Sequence, residues 1–151
     1  MRIVLQRVTR SAVSVDGAVV TSIGEGLLLL VGIEATDGEE DIDAAVDKVA
    51  NLRVFADAEG RMNRSLLDVG GSALVVSQFT LLGVISKGRR PSFTEAAPPE
   101  MAAPMVSRLA ETLSQTGVDT KTGVFGARME VDLVNDGPVT LVLGVRGGRV
   151  S

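Results

Sequence analysis

Alternating and continuous hydrophobic stretches along the chain predict its strands. Residues 3–8 alternate between two faces, and Arg7 falls on a face that is otherwise apolar. Asp16-Gly17 separates two short strand-like stretches and predicts a hairpin, since both residues tolerate the positive φ of a tight turn. The continuous run at 26–32 is typical of a strand buried on both faces. The predicted strands, in chain order, are residues 3–8, 12–15, 18–21, 26–32, 74–82, 128–133 and 140–143.

Two stretches with helical spacing of apolar residues predict the main helices. The first covers residues 39–53, and Thr36 and Glu39 have the spacing of a capping box at its start. The second covers residues 99–116. Pro104 lies in this second stretch, where it belongs either in the first turn or at a kink, because proline removes a helical hydrogen bond.

The order of these elements has no regular alternation of strand and helix. It predicts a single α+β domain over residues 1–151, with a mainly antiparallel, barrel-like sheet and two main helices. With 45% apolar and 23% charged residues, the composition is that of a soluble globular protein. No stretch is apolar for long enough to span a membrane, and the first residues do not resemble a signal peptide. We therefore expect a cytoplasmic protein without a membrane partner.

The sequence contains neither cysteine nor histidine. This excludes thiol nucleophiles, catalytic triads that depend on histidine, and zinc sites built from either residue. Glycine-rich signatures of nucleotide binding are also missing, since neither Gly24 to Gly26 nor Gly70-Gly71 has the required spacing. The acidic cluster at 39–43 is explained by its place in the first turns of a helix. We expect no cofactor and no metal site.

Charge gives one candidate contact with nucleic acid. The net charge of −4, from 15 basic and 19 acidic residues, argues against non-specific binding of DNA or RNA. A short basic stretch, formed by Lys87, Arg89 and Arg90, precedes Pro91 on a predicted loop. On charge alone it is either a solvated surface loop or a local phosphate contact.

Polar side chains interrupt the predicted strand at 74–82. The interruption consists of Ser77, Gln78, Phe79 and Thr80. Strand alternation would place Ser77 and Phe79 on one face and the other two on the opposite face. The hydroxyl groups are candidates for binding a ligand or, less favourably, for attacking it, because no histidine is present to activate them. A purely structural role at the end of a strand also explains them.

The motif NDGPVT, at residues 135–140, lies between two predicted strands. One interpretation is a β-turn after which Pro138 opens an edge strand, where its missing N–H costs nothing. The other is a specific Gly137-Pro138 peptide, including the cis form, which occurs in about 5–6% of X-Pro bonds in folded proteins. Sequence spacing alone favours the turn.

Six segments spread over nearly the whole chain carry a family resemblance: MRIVLQRVTRSAVSVDG, KVANLRVF, MNRSLLDVGG, VSQFTLLG, KGRRPSF and TGVFGARMEVDLVNDGPVT. They resemble the D-aminoacyl-tRNA deacylases in the same order, and SQFT and NDGPVT are the most specific motifs. The resemblance implies an α+β, barrel-like fold and a homodimer with its sites at the dimer interface. It implies a hydrolase that cleaves the ester between a D-amino acid and the terminal adenosine of tRNA, with no role for DNA.

The resemblance also implies roles for particular residues. Main-chain groups near Phe79 and Thr80 would face the ester. Gly137-Pro138 would be a cis peptide whose carbonyls enter the partner's pocket and reject L-amino acids, and Arg7 would hold this element in place. The implied pocket wall is Ser77, Gln78, Phe79 and Thr80, and the implied contacts with the terminal adenosine and the tRNA phosphates are Phe125, Met129, Lys87, Arg89 and Arg90.

The family is described as using the ribose 2′-hydroxyl of the RNA to assist hydrolysis, which fits a chain without histidine. Glycine has no side chain to reject, so glycyl-tRNA is an expected second substrate. Residues 83–86 depart from the family pattern, with Gly-Val-Ile-Ser where relatives have a more polar stretch. Two other functions stay open: a catalytically silent aminoacyl-tRNA or RNA-binding module, and a Ser- or Thr-dependent amidohydrolase.

Overall fold

The computed structural model describes residues 1–86 and 88–151. The strands are β1 (Arg2–Val15), β2 (Ala18–Ile23), β3 (Gly26–Gly32), β4 (Phe55–Ala56), β5 (Met62–Arg64), β6 (Ser72–Ser77), β7 (Asp119–Thr122), β8 (Met129–Arg146) and β9 (Arg149–Val150). The helices are α1 (Glu39–Asn51), α2 (Leu66–Val69) and α3 (Pro99–Gln115), with one 3-10 helix at Phe79–Leu82.

Seven of these strands form one curled sheet. Its order is β7-β6-β3-β1-β8-β9, and β2 pairs with β1 outside this path. The pairs β3–β6 and β6–β7 are parallel, whereas β1 is antiparallel to β2, β3 and β8. The sheet is therefore mixed and curls into a half-barrel, which confirms the predicted α+β class and barrel-like sheet.

Strand β3 lies at the centre of the sheet and is buried on both faces, as predicted. Leu27 and Leu29 belong to the main core, which also contains the buried faces of α1 and α3. Leu28 points the other way, into a smaller cluster with Val8 and Val76. The uninterrupted apolar run is thus required by two separate cores, one on each side of the strand.

The hairpin at Asp16-Gly17 is also confirmed. Asp16 has a φ of 50° and Gly17 a φ of 79°, and Val15 pairs with Ala18 across the turn. The preceding strand is longer than expected, because the stretches predicted at 3–8 and 12–15 are parts of one strand, β1.

Both main helices are present near their predicted bounds, but the first is capped differently. The carboxylate of Asp41 accepts a hydrogen bond from the N–H of Gly38 at 2.9 Å, so the predicted capping box at Thr36 and Glu39 is wrong. In α3, Pro104 lies inside the helix and beyond its first turn. No helix in the described part of the chain is long and apolar enough to cross a membrane.

An ionic cluster around the Met1 ammonium lies just before α1. The Met1 ammonium donates to the Asp37 carboxylate at 2.6 Å and to the carbonyl of Val145 at 2.9 Å. The nearby Glu34 accepts a hydrogen bond from Arg146 at 2.8 Å. Burial raises the pKa of Glu34, but the contacts with Arg146 and the ammonium outweigh burial and hold this pKa below its ordinary value. The cluster joins the start of β1, the end of β8 and the loop before α1.

The strand predicted at 74–82 ends early. Its parallel ladder with β3 stops at the pair Val31–Ser77, and the chain then winds into the 3-10 helix. A Cβ at Gly32 would lie 3.0 Å from the carbonyl oxygen of Gln78, so the turn packs directly on the end of β3. The predicted strand alternation of residues 77–80 is therefore wrong, because residues 79–82 are helical.

A substitution at Gly26 tests the close approach of β3 and β6. A Cβ at this position would lie 1.8 Å from the carbonyl oxygen of Ser72, so the two backbones cannot keep their spacing. We expect Gly26→Ala to lower the free energy of unfolding by about 3 kcal/mol or more. The matched control is Gly24→Ala, because a Cβ at Gly24 would meet no atom within 4 Å. Equal urea unfolding curves for the two variants would contradict this account.

Candidate active site

A cavity of about 560 Å³ opens where β6 ends. Its wall contains five of the residues singled out from the sequence: Ser77, Gln78, Phe79, Phe125 and Met129. They come from separate segments, namely the end of β6, the 3-10 helix, the loop after β7 and the start of β8. Folding therefore brings two distant parts of the sequence pattern, SQFT and VFGARM, to one cavity.

The SQFT segment is fixed to the sheet at its first turn. The N–H of Gln78 donates to the carbonyl of Val31 at 2.7 Å. The side-chain amide of Gln78 donates to the hydroxyl oxygen of Thr80. Thr80 itself is exposed and is not among the residues that line the cavity in the described structure, unlike its three predecessors. Three of the four residues of the predicted wall thus line the cavity of this chain.

Aromatic contacts form one side of the opening. The rings of Phe79 and Phe93 meet edge to face with their centroids 5.0 Å apart, although Phe79 remains 56% exposed. Phe93 was not predicted as a site residue, and the only signal in the sequence was its position as an aromatic residue in the KGRRPSF segment. Such T-shaped pairs are stabilising while leaving ring surface available for a ligand.

The opposite side is formed by the loop after β7 and the first residue of β8. Phe125 is 40% exposed there, and Met129 packs beside Gly123. A Cβ at Gly123 would lie 2.7 Å from the sulfur of Met129, so any larger residue would displace this side chain. The sequence thus keeps an apolar, adaptable surface next to the opening.

The NDGPVT motif lies inside strand β8, where it forms a bulge. Asn135 pairs with Val8 and Thr140 pairs with Gln6, so the four residues 136–139 stand opposite Arg7 alone. The chain does not reverse, and the interpretation as a β-turn that opens an edge strand is wrong. Extra residues in one strand of an antiparallel pair are typical of a bulge that re-aims part of the backbone.

The bulge contains a cis peptide bond between Gly137 and Pro138. Gly137 has a φ of 126°, a conformation that other residues rarely adopt. Both residues are exposed. Neither belongs to the described residues that line the cavity of the same chain.

Arg7 holds the bulge against the rest of the chain. Its Nε donates to the carbonyl of Asp136 at 3.2 Å and lies 3.1 Å from the carboxylate of the same residue. Its Nη1 donates to the carbonyl of Val54, which follows α1. A Cβ at Gly137 would lie 3.0 Å from Nη2 of Arg7, so the guanidinium and the bulge are in close contact. The side chain of Arg7 is only 13% exposed. Its hydrogen bonds and ion pair explain how a cation is accommodated on an otherwise apolar strand face.

Arg89 and Arg90 of the basic stretch lie on an exposed loop. Val84 and Ser92 exchange backbone hydrogen bonds of 2.8 and 3.0 Å, which close the loop at its base. Arg89 and Arg90 are exposed beyond this bridge, whereas Lys87 lies outside the described residues. Residues 83–86, which differ from the family pattern, form the base of the loop. They do not line the cavity in the described structure.

The cavity offers positioning groups and few reactive ones. The described residues contain no cluster of three or more acidic side chains that would hold a metal ion. Among the described lining residues the hydroxyl is that of Ser77, with Thr80 nearby in the 3-10 helix, and the absence of histidine leaves both without a conventional base. Such a site can orient a substrate, exclude water and polarise a carbonyl through main-chain N–H groups.

Comparisons with known proteins agree with this fold and site. The family model of the D-Tyr-tRNA(Tyr) deacylases matches residues 4–144. A D-aminoacyl-tRNA deacylase of Thermomicrobium roseum is 60% identical over the full length of both chains, and one of Roseiflexus castenholzii is 57% identical over 95% of this chain and 91% of its own.

Solved structures show the same fold. A c-Myc DNA unwinding element binding protein is 40% identical, with a TM-score of 0.90 over 95% of this chain and 98% of its own. A probable eukaryotic D-amino acid tRNA deacylase is 20% identical, with a TM-score of 0.81 over 93% of this chain and 97% of its own, which supports the fold alone.

The family model and the similar relatives define a hydrolase that acts on ester bonds. The chain belongs to the D-aminoacyl-tRNA deacylase family. This confirms both the resemblance noted in the sequence and the predicted enzyme class.

The role of Arg7 in the bulge is tested by comparing it with Arg10 on the same strand. Arg7→Met leaves the carbonyls of Val54 and Asp136 without their donor, so we expect the free energy of unfolding to fall by about 2 kcal/mol. Arg10 forms an ion pair with Asp132 in which both side chains are at least 60% exposed, and Arg10→Met should have little effect. Urea unfolding measures both. A similar loss in the two variants would show that Arg7 has no special structural role.

Proposed function

We propose that this chain hydrolyses the ester between a D-amino acid and the terminal adenosine of tRNA. The observation that carries the proposal is the single cavity in which Ser77, Gln78 and Phe79 meet Phe125 and Met129, in a chain of the deacylase family. Relatives with 60% and 57% identity over most or all of the chain are D-aminoacyl-tRNA deacylases, which supports the same substrate class here.

The surroundings of the cavity suit the end of an RNA chain. Phe125 and Met129 present an apolar surface on which an adenine ring can pack, and stacking on such side chains does not depend on titratable groups. Arg89 and Arg90, with Lys87 of the same stretch, supply positive charge for the tRNA phosphates. The protein acts in the cytoplasm, where charged tRNA is found.

The chemistry relies on position rather than on a protein base. Water attacks the ester carbonyl carbon, the bond to the ribose oxygen breaks, and that oxygen takes up a proton to restore the free tRNA end. The ribose 2′-hydroxyl assists this step. Main-chain N–H groups of Phe79 and Thr80 polarise the carbonyl, since they open the 3-10 helix and the first donors of a helix lack intrahelical partners.

Chiral selection comes from the bulge of a second subunit. Val131 is the last cavity residue along β8, and Asp136 lies five residues further, or about 16 Å along an extended strand. Gly137 and Pro138 do not line the cavity of their own chain in the described structure, and in the proposed homodimer the bulge of the partner subunit enters it. The carbonyls of the bulge of the partner subunit leave room for hydrogen at the α-carbon and none for an L side chain. Glycine has no side chain to exclude, so glycyl-tRNA is also a substrate.

Hydrolysis assays with matched substrates test the proposed function. We expect the protein to release D-tyrosine and glycine from tRNA and to leave L-tyrosyl-tRNA intact. Of the three amino acids, only L-tyrosine would place its side chain where the carbonyls of Gly137 and Pro138 lie. Each ester is followed under the same conditions. If none of the esters is hydrolysed, the silent RNA-binding module is favoured. Equal hydrolysis of the D and L esters would reject selection by the bulge.

Thr80→Ala tests whether a protein hydroxyl attacks the ester, as in the rival Ser- or Thr-dependent amidohydrolase. Because Thr80 lies outside the described cavity wall and its oxygen accepts a hydrogen bond from Gln78, we expect kcat for the D-ester to stay within about tenfold of wild type. Removal of a true nucleophile would lower kcat by more than roughly a thousandfold. Such a collapse, in a variant that still folds and binds tRNA, would restore Thr80 as the nucleophile.

A further inference from the structure

The side chain of Asn135 spans the bulge and closes it. Its Oδ1 accepts a hydrogen bond from the N–H of Val139 at 3.0 Å, and its Nδ2 donates to the hydroxyl oxygen of Thr140 at 2.7 Å. The same hydroxyl oxygen lies 3.3 Å from Nε2 of Gln6, on the facing strand. One amide group thus joins the residue before the bulge to the two residues that end it. We call Asn135, Thr140 and their hydrogen bonds the bulge clamp.

The bulge clamp compensates for missing strand pairing. Residues 136–139 have no partners in the ladder with β1, so ordinary sheet hydrogen bonds do not fix their positions. Arg7 holds the first of them through the carbonyl of Asp136. The Val139 N–H, at the other end, is held by Asn135 instead of by a strand. Gly137 and Pro138 therefore lie between two anchors, one from Arg7 and one from the clamp.

An amide is well suited to this position. It presents one acceptor and one donor in a plane, and here the acceptor takes a backbone N–H while the donor reaches a hydroxyl. Alanine would remove both bonds. At position 140, valine would keep the shape of threonine without its oxygen, whereas serine would keep the oxygen.

We propose that Asn135 and Thr140 are positioning residues that fix where the carbonyls of Gly137 and Pro138 stand, and thereby set how strongly L-aminoacyl esters are rejected. The inference rests on the proposed function, in which these carbonyls exclude an L side chain. Steric exclusion depends on small distances, and a displacement of about 1 Å in a supporting group changes rates by roughly a hundredfold. Loosening the clamp therefore raises the rate of hydrolysis of L-aminoacyl esters before it changes the rate for D-aminoacyl esters.

Four variants test this role in the full-length protein. We expect Asn135→Ala and Thr140→Val to lower the D/L ratio of kcat/KM by about tenfold or more, through faster hydrolysis of L-tyrosyl-tRNA. Thr140→Ser should restore the wild-type ratio. The control is Asn51→Ala, since Asn51 also makes two side-chain hydrogen bonds, both to Asp47, but on the exposed end of α1. An unchanged ratio in folded Asn135→Ala and Thr140→Val would overturn the proposal, even if both are less stable.

Amide hydrogen exchange at Val139 separates this inference from the proposed function. The clamp predicts slow exchange in wild type and Thr140→Ser, and fast exchange in Asn135→Ala. If wild type fails to discriminate D from L esters while Val139 is protected, the chiral function is wrong and the clamp is present but without a role in selection. Fast exchange of Val139 in wild type overturns the clamp itself. Should Asn135→Ala not fold, the Thr140→Val and Thr140→Ser pair decides the question.

Discussion

The bulge that contains Gly137 and Pro138 depends on one interruption in the antiparallel ladder between β1 and β8. The pairing is regular from Arg2 to Gln6 and again from Arg10 to Val15, with register shifts between these stretches. Because both flanks are fixed, the surplus residues of β8 are held outward at a defined place. Arg7 lies at that place with its guanidinium turned into the gap, so the same strand that sets the register also binds the bulge.

Much of this arrangement was predictable because local pattern and tertiary packing agree. The apolar run of β3 indicated burial on both faces, and the Asp16-Gly17 hairpin followed from turn chemistry. Both main helices also followed from their periodicity. Recognition of SQFT and NDGPVT as family motifs supplied candidate residues, of which Ser77, Gln78 and Phe79 line the cavity. The roles of these residues remain predictions, since geometry alone does not show catalysis.

The errors arose where distant contacts override local pattern. Residues 79–82 have the composition of a strand, but β3 ends at Gly32 and leaves them no partner to pair with. The capping box at Thr36 and Glu39 was wrong because α1 begins after Gly38, whose N–H donates to Asp41. NDGPVT contains every signal of a turn, and only the facing strand makes it a bulge. The contact of Phe93 with Phe79 likewise depends on the folded chain.

A chain without histidine or cysteine places unusual weight on backbone position. When a titratable side chain performs the chemistry, its pKa can be adjusted by its neighbours while its location varies slightly. Main-chain donors and carbonyls offer no such adjustment, so their effect is set by where hydrogen bonds hold them. The polar side chains at the bulge hold backbone in this way: Arg7 holds Asp136 and Val54, and Asn135 holds Val139. In the proposed function, substitutions at these supporting residues alter which substrates are accepted, because they move the backbone of Gly137 and Pro138.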